Sequence, residues 1–190
     1  MVKIISLHFV LCFVLFSARS QSIYKSYSRL ANKDLHSAQT GFDKKIKRYP
    51  AQSAFGLSLC YIEPSYLNLD SSLKYLLIAE DTWAGLSEKS LSKLASFGIA
   101  KKSLVRQKEI LGDLFYERCI LENEPQCFDL LLKTQPWNNN ISQIIYNRDS
   151  LFYINAQTNT SAEGIEQLLN KYPQTLFRSK LNELLDSLEL

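Results

Sequence analysis

From Ile23 onward, apolar residues recur at intervals of three and four, the period of an amphipathic helix, and the alternation of a half-buried strand is nearly absent. Prolines and glycines punctuate this pattern instead of hairpin turns. The spacing predicts helices over about 23–32, 35–48 and 51–62, with Pro50 stopping the second because proline lacks the N–H donor and restricts the residue before it. Further helices are expected over 71–86, capped by Asp70 or Ser71, and over 87–98, from Ser87 to a Gly98 cap. A long helix follows over 101–123, then a short one before Pro136, and three more over 141–159, 161–173 and 176–190. The fold class that follows is all-α, and strand-like runs such as "FGLSLCYI" lie between helical neighbours without hairpin turns.

One ten-residue ending is written twice: "GFDKKIKRYP", closing at Pro50, and "GIEQLLNKYP", closing at Pro173, 123 positions later. Ala38, Phe42, Tyr49 and Pro50 recur in type as Ser161, Ile165, Tyr172 and Pro173. Ser72, Leu76 and Ala79 repeat the small-large-small trio without a closing proline. These positions resemble the second helix of tetratricopeptide repeats, in which a small residue, a bulky one four later, another small one and a final proline mark each helix pair. "SAFGLSLCYIEP" places Leu57, Ser58 and Tyr61 where the family's first helix has Leu, Gly and Tyr. Lys45 and Ala54 depart from the pattern, and a spacing of 123 is no multiple of 34, so a regular tandem array is excluded. The chain is also similar, over "NLDSSLKYLLIAEDTWAGLSEKSLSKLASFGI" and "RDSLFYINAQTNTSAEGIEQLLNKYPQTLFRSKLNELL", to exported bacterial proteins with tetratricopeptide-like helices, mostly of the cell envelope. The resemblance implies an irregular stack of antiparallel helix pairs, either a right-handed α-solenoid or a compact bundle, in which small residues let helices approach closely.

The N-terminus suggests export. Lys3 precedes the apolar run "IISLHFVLCFVLF", and Ala18 and Ser20 occupy the small-residue positions of a cleavage site. Residues 1–20 therefore read as a signal peptide, with a short N-terminal membrane anchor as the competing reading, and 21–190 as one helical domain. Removing Lys3 and Arg19 lowers the net charge from +3 to about +1, which gives no electrostatic reason to expect nucleic acid. Cys60, Cys119 and Cys127 remain, an odd count that suits one bridge and one buried thiol in an oxidising compartment. Cys119 and Cys127 flank "ILENEPQ", whose proline forces a turn, and are the candidate pair; Cys60 lies in an apolar run.

Catalytic chemistry finds little footing. His36 is the only histidine past the signal, which leaves no basis for a Ser-His-Asp or Cys-His arrangement or a zinc set. Glu80 and Asp81 are adjacent and point about 100° apart on a helix. Six scattered glycines make no phosphate loop. The basic runs "KKIKR" and "KKSLVRQK" read as solvated helix faces, or as an electropositive rim for an acidic peptide or polymer. Aromatic residues carry the binding expectation: Tyr24, Tyr27, Tyr66, Trp83 and Trp137 are the candidate partner contacts, with Trp137 set in the polar loop "QPWNNN". The expected function is that of a non-enzymatic, exported scaffold in the periplasm or cell envelope that binds a protein or peptide and needs no cofactor or metal. Two rivals remain: a carboxylate-dependent glycan- or envelope-modifying enzyme, and a small assembly subunit that docks through its C-terminal helix "LNELLDSLEL".

Overall fold

The structure, a computed structural model, describes residues 22–159 and 161–188; the expected signal peptide lies outside them. Every regular element among these residues is helical. Ten α-helices run in the order α1 (Ile23–Ala31), α2 (Leu35–Asp43), α3 (Pro50–Cys60), α4 (Leu69–Thr82), α5 (Glu88–Ala95), α6 (Lys101–Glu122), α7 (Pro125–Thr134), α8 (Ile141–Asn159), α9 (Ala162–Lys171) and α10 (Arg178–Leu188). Short 3₁₀ turns, Pro64–Tyr66 and Trp83–Gly85, precede and follow α4. No helix among the described residues is long and apolar enough to cross a membrane. The chain divides into two compact units, with the boundary inside α6 between Gln107 and Lys108.

In the N-terminal unit, α3 is the central element and packs against α1, α2 and α4. Nine of its eleven residues are buried, from Ala51 to Ser58 together with Cys60. A helix apolar or small on all sides belongs inside a core, and Ala51, Ser53, Ala54, Gly56 and Ser58 are small enough for neighbours to approach. The partner helices supply the bulk: Phe42 from α2 and Leu76 from α4 are fully buried. Three buried polar side chains tie the layers. Ser72 Oγ donates to the Ser58 carbonyl at 2.8 Å, the two hydroxyls lie 3.0 Å apart, and Gln107 Nε2 donates to Ser58 Oγ at 3.4 Å. Asn68, not Asp70 or Ser71, caps α4, accepting from the Ser71 N–H at 2.8 Å. Ser87 caps α5 as expected, and Gly98 (φ +72°) ends that segment, where the Ile99 N–H returns to the Leu94 carbonyl.

Among the described residues, Cys60 is the free cysteine, sealed in this core. Burial, followed by the nearby Asp43 and Glu63 carboxylates, pushes its thiol up to about 12. The native protein at about pH 8 is therefore expected to resist alkylation at Cys60, while the unfolded, unreduced chain labels there once. The weakened acidity of this thiol also bears on stability. The unfolded chain ionises first, so this group's contribution to stability is present below about pH 9 and is lost as the pH rises towards 12. Alkylation mass spectrometry and an alkaline denaturation series check both outcomes.

The C-terminal unit is built from helix pairs joined at proline corners. Here the repeated ending takes on a specific geometry. Tyr49, Gln135 and Tyr172 each precede a proline and share one backbone conformation, with φ/ψ of −133/64°, −132/60° and −125/67°. The residue before proline is pushed out of the helical region, yet in each case its N–H still closes on the carbonyl four residues back, at 2.9, 2.8 and 2.9 Å. The corners then diverge. Pro50 does not close α2, which already ends at Asp43; it opens α3 in the first helical turn, where proline's missing donor costs nothing. Pro136 and Pro173, 37 positions apart, are the matched pair. After them the Asn138 and Thr175 N–H groups return to Gln135 and Tyr172. The side chains of Asn138 and Thr175 then accept from the N–H groups of Asn140 and Phe177. Eight residues before each of these prolines lies a buried Phe128 or Ile165, and eight after lies a fully buried Ile144 or Leu181.

Cys119 at the end of α6 is bridged to Cys127 in α7, spanning a corner in which Asn123 adopts φ +53°. Replacing both by serine is expected to lower stability by about 2 kcal/mol through loss of the loop constraint, read from chemical denaturation midpoints.

Candidate functional site

The expected binding aromatics differ in their surroundings, four lying in the N-terminal unit and Trp137 in the C-terminal one. Tyr27, buried to 2 %, belongs to the core: its hydroxyl donates to the Gln52 carbonyl at 2.6 Å and its ring meets Phe42 edge to face. Burial, above all, raises the Tyr27 hydroxyl well above its ordinary range. Tyr24 is half-buried, stacked on Phe97 with the Lys93 ammonium over its ring. Tyr66 sits half-buried on the 3₁₀ turn after α3. Trp137 is half-buried in the C-terminal unit with the Lys108 ammonium 5.4 Å from its ring centre. Within the N-terminal unit, Tyr24 and Tyr27 both pack on Phe97.

Trp83 marks the site. It begins the 3₁₀ turn after α4, is 6 % exposed, and packs edge to face on Phe55 of the central helix at 5.9 Å. Its outer edge lines a groove of about 670 Å³ bounded by the end of α4, by α5 and by the first two turns of α6. Only Leu94 of α5 is buried, so Leu91, Ser92 and Ala95 turn towards the recess and away from the core. From α6, Leu104 and Val105 both line the groove, Leu104 buried and Val105 exposed. Leu91 and Val105 remain 38 % and 56 % exposed, large values for apolar side chains beside a recess. Glu80 and Lys101 are the charged residues of the lining. A second recess of about 530 Å³ is lined by Tyr49, Pro50, Asp81 and Ser87 and shares Leu86 with the first.

Chemically, the groove offers apolar walls, an aromatic floor and sparse polar groups, the composition of a surface that receives side chains. Among the described residues, no group of three or more His, Cys, Asp and Glu side chains is placed to hold a metal ion. The densest polar cluster lies instead in the C-terminal unit. Arg148 Nε and Nη2 donate to Asp149 Oδ1 at 2.9 and 2.8 Å, and Nη1 reaches Asp129 at 3.2 Å. Tyr172 donates to the same Asp129, and its ring lies under the Arg148 guanidinium. The Leu176 N–H donates to the other oxygen of Asp149, a wholly buried carboxylate. Burial and the bond to Asp129 raise the Tyr172 hydroxyl. Each named donor of this network is spent on a protein acceptor, and the network fastens α7 and α8 to the corner after Tyr172.

Of the structural repeat positions, Ala38, Phe42, Ser72, Leu76, Ala79 and Ile165 are fully buried, whereas Pro50 and Pro173 are exposed and Tyr49 and Tyr172 half-buried. The C-terminal helix is partly committed to its own unit: Leu181 is fully buried, and Leu184 and Leu185 pack against the cluster containing Ile165 and Leu169. Sequence reading missed Leu91, Ile99 and Val105, and the signal for Leu91 and Val105 was an apolar residue beside the buried stripe of its helix. The chain matches no protein-family model, no curated protein and no solved structure at a significant level.

Proposed function

We propose that the protein is an exported, non-enzymatic helical scaffold that holds a segment of a partner protein in the groove floored by Trp83. The groove itself carries this reading: adjoining apolar residues on α5 and α6 are left open beside a well-filled core. Isolated exposed apolar residues are ordinary on any surface, but several around one recess suit a contact surface. The Cys119–Cys127 bridge supports a life outside the reducing cytosol, as the N-terminal segment also suggests. Helix pairs joined by proline corners are a suitable frame, because each pair presents side chains that its neighbours do not cover.

The test is a comparison of wild type with the Leu91→Glu/Val105→Glu variant, both with checked melting curves. Wild type is expected to recover a defined partner from envelope extract, and the variant to lose it. Equal recovery by both would remove the groove from the function.

A further inference from the structure

We propose that the groove takes an acidic amphipathic helix, with an apolar stripe laid between α5 and α6 and carboxylates along its flank; this rests on the docking role proposed above. Charge complementarity is the first argument. Near-neutrality of the chain conceals a division: residues 22–107 hold 13 Lys and Arg against 7 Asp and Glu, a net +6, while residues 108–190 hold 7 against 12, a net −5. The groove belongs to the basic unit. Its partner is therefore steered by a positive field.

The local arrangement is the second argument. Lys101 and Val105 are four residues apart and share one stripe of α6; Lys102 and Arg106 form the adjacent stripe at the same spacing. A basic stripe thus runs alongside the apolar wall for its first two turns. Lys101, Lys102 and Arg106 are all exposed and form no ion pair among the described residues. Nor do the lysines serve α6 itself, since the first turn holds no acidic residue and cations there oppose the helix dipole.

Groove shape narrows the occupant further. Leu91 and Val105 both line the recess and are both exposed, so it opens to solvent, which suits a helix laid in from outside, anchored at positions i, i+3, i+4 and i+7. The chain's own leucine-bearing helix α10 is a poor occupant for a second copy: Arg178 and Lys180 balance Glu183 and Asp186, and Leu181, Leu184 and Leu185 already face its own core.

Three labelled synthetic peptides of one length test this, each with leucines at that helical spacing and with flanks of Glu, Gln or Lys. By fluorescence anisotropy the Glu peptide is expected to bind about tenfold more tightly than the Gln peptide, and the Lys peptide least of all. The preference should shrink several-fold between about 50 and 300 mM salt. Lys102→Glu/Arg106→Glu is expected to abolish the preference, and Val105→Glu to weaken all three peptides. Equal binding of the Glu and Gln peptides would overturn the acidic partner and leave the groove standing as a docking site. No binding by any peptide to a fully folded protein would overturn both. Concentration-dependent self-association that the Glu peptide displaces would overturn the separate partner in favour of a second copy.

Discussion

Replacing Gly56 by alanine is expected to destabilise the N-terminal unit by about 2 kcal/mol, although alanine is intrinsically the better helix former by about 1 kcal/mol. The reason is Phe42. A Cβ at position 56 would lie 2.3, 2.4 and 2.6 Å from three carbons of that ring, closer than atoms can approach. The ring has little room to retreat. It is fully buried and meets Tyr27 edge to face, and Tyr27 is itself held by its hydrogen bond to the Gln52 carbonyl. Overpacking of this kind typically costs about 1–3 kcal/mol, and here it must exceed the helix-propensity gain. A smaller partner relieves it: Phe42→Leu combined with Gly56→Ala is expected to cost clearly less than the sum of the two single changes. Chemical denaturation of the four proteins in the cycle checks this, and a neutral Gly56→Ala would contradict the close approach of α2 and α3.

Arg148→Met carries the other large expected effect, a loss of about 3–5 kcal/mol in the C-terminal unit. Asp149 is completely buried, and two of its three hydrogen bonds come from the Arg148 guanidinium. Methionine keeps much of the side-chain volume but leaves that carboxylate with the Leu176 N–H alone. The same change strips Asp129 of its ion pair and Tyr172 of the cation over its ring. Arg148→Met/Asp149→Asn removes the stranded charge, so the double variant is expected to be more stable than Arg148→Met. Equal losses would mean that Asp149 is solvated and that the network does not hold the corner.

Much of this fold was legible in the sequence because its signals are local. Three- and four-residue spacing placed the helices, Ser87 and Gly98 bounded α5, and the odd cysteine count with Pro125 between the pair pointed to the bridge. Long-range packing was not legible. The second helix was read through to Arg48, but apolar burial stops at Phe42, and the following Lys44–Arg48 segment makes turns instead. The two Tyr-Pro endings matched as text and matched in backbone conformation, yet one opens a helix and the other closes one. The fuller structural match to Pro173 is Pro136, hidden because "CFDLLLKTQP" shares few letters with "GIEQLLNKYP". What repeats is a buried side chain on either side of a pre-proline corner, a property of packing and not of residue identity.

The candidate site followed the same rule. Aromatic content drew attention to Tyr27 and Trp83, and both rings are mostly buried, because a large ring gains more from a core than from a surface. Trp83 bears on the groove only as its floor. Leu91 and Val105 are single apolar residues adjacent to buried stripes, and their importance depends on a gap between two helices that no local pattern records. The charge division was countable from the start, but total charge masks it until the unit boundary near Gln107 is known.

Photo-crosslinking tests the central claim most directly. A photoreactive amino acid is placed either at Val105 in the groove wall or at Leu176 in the C-terminal unit, two apolar positions of similar exposure at 56 % and 62 %. In cells that make the protein, Val105 is predicted to yield a discrete adduct with a partner, and Leu176 only background. An adduct at Leu176 with none at Val105, or the same diffuse labelling at both, would contradict a partner site in the groove.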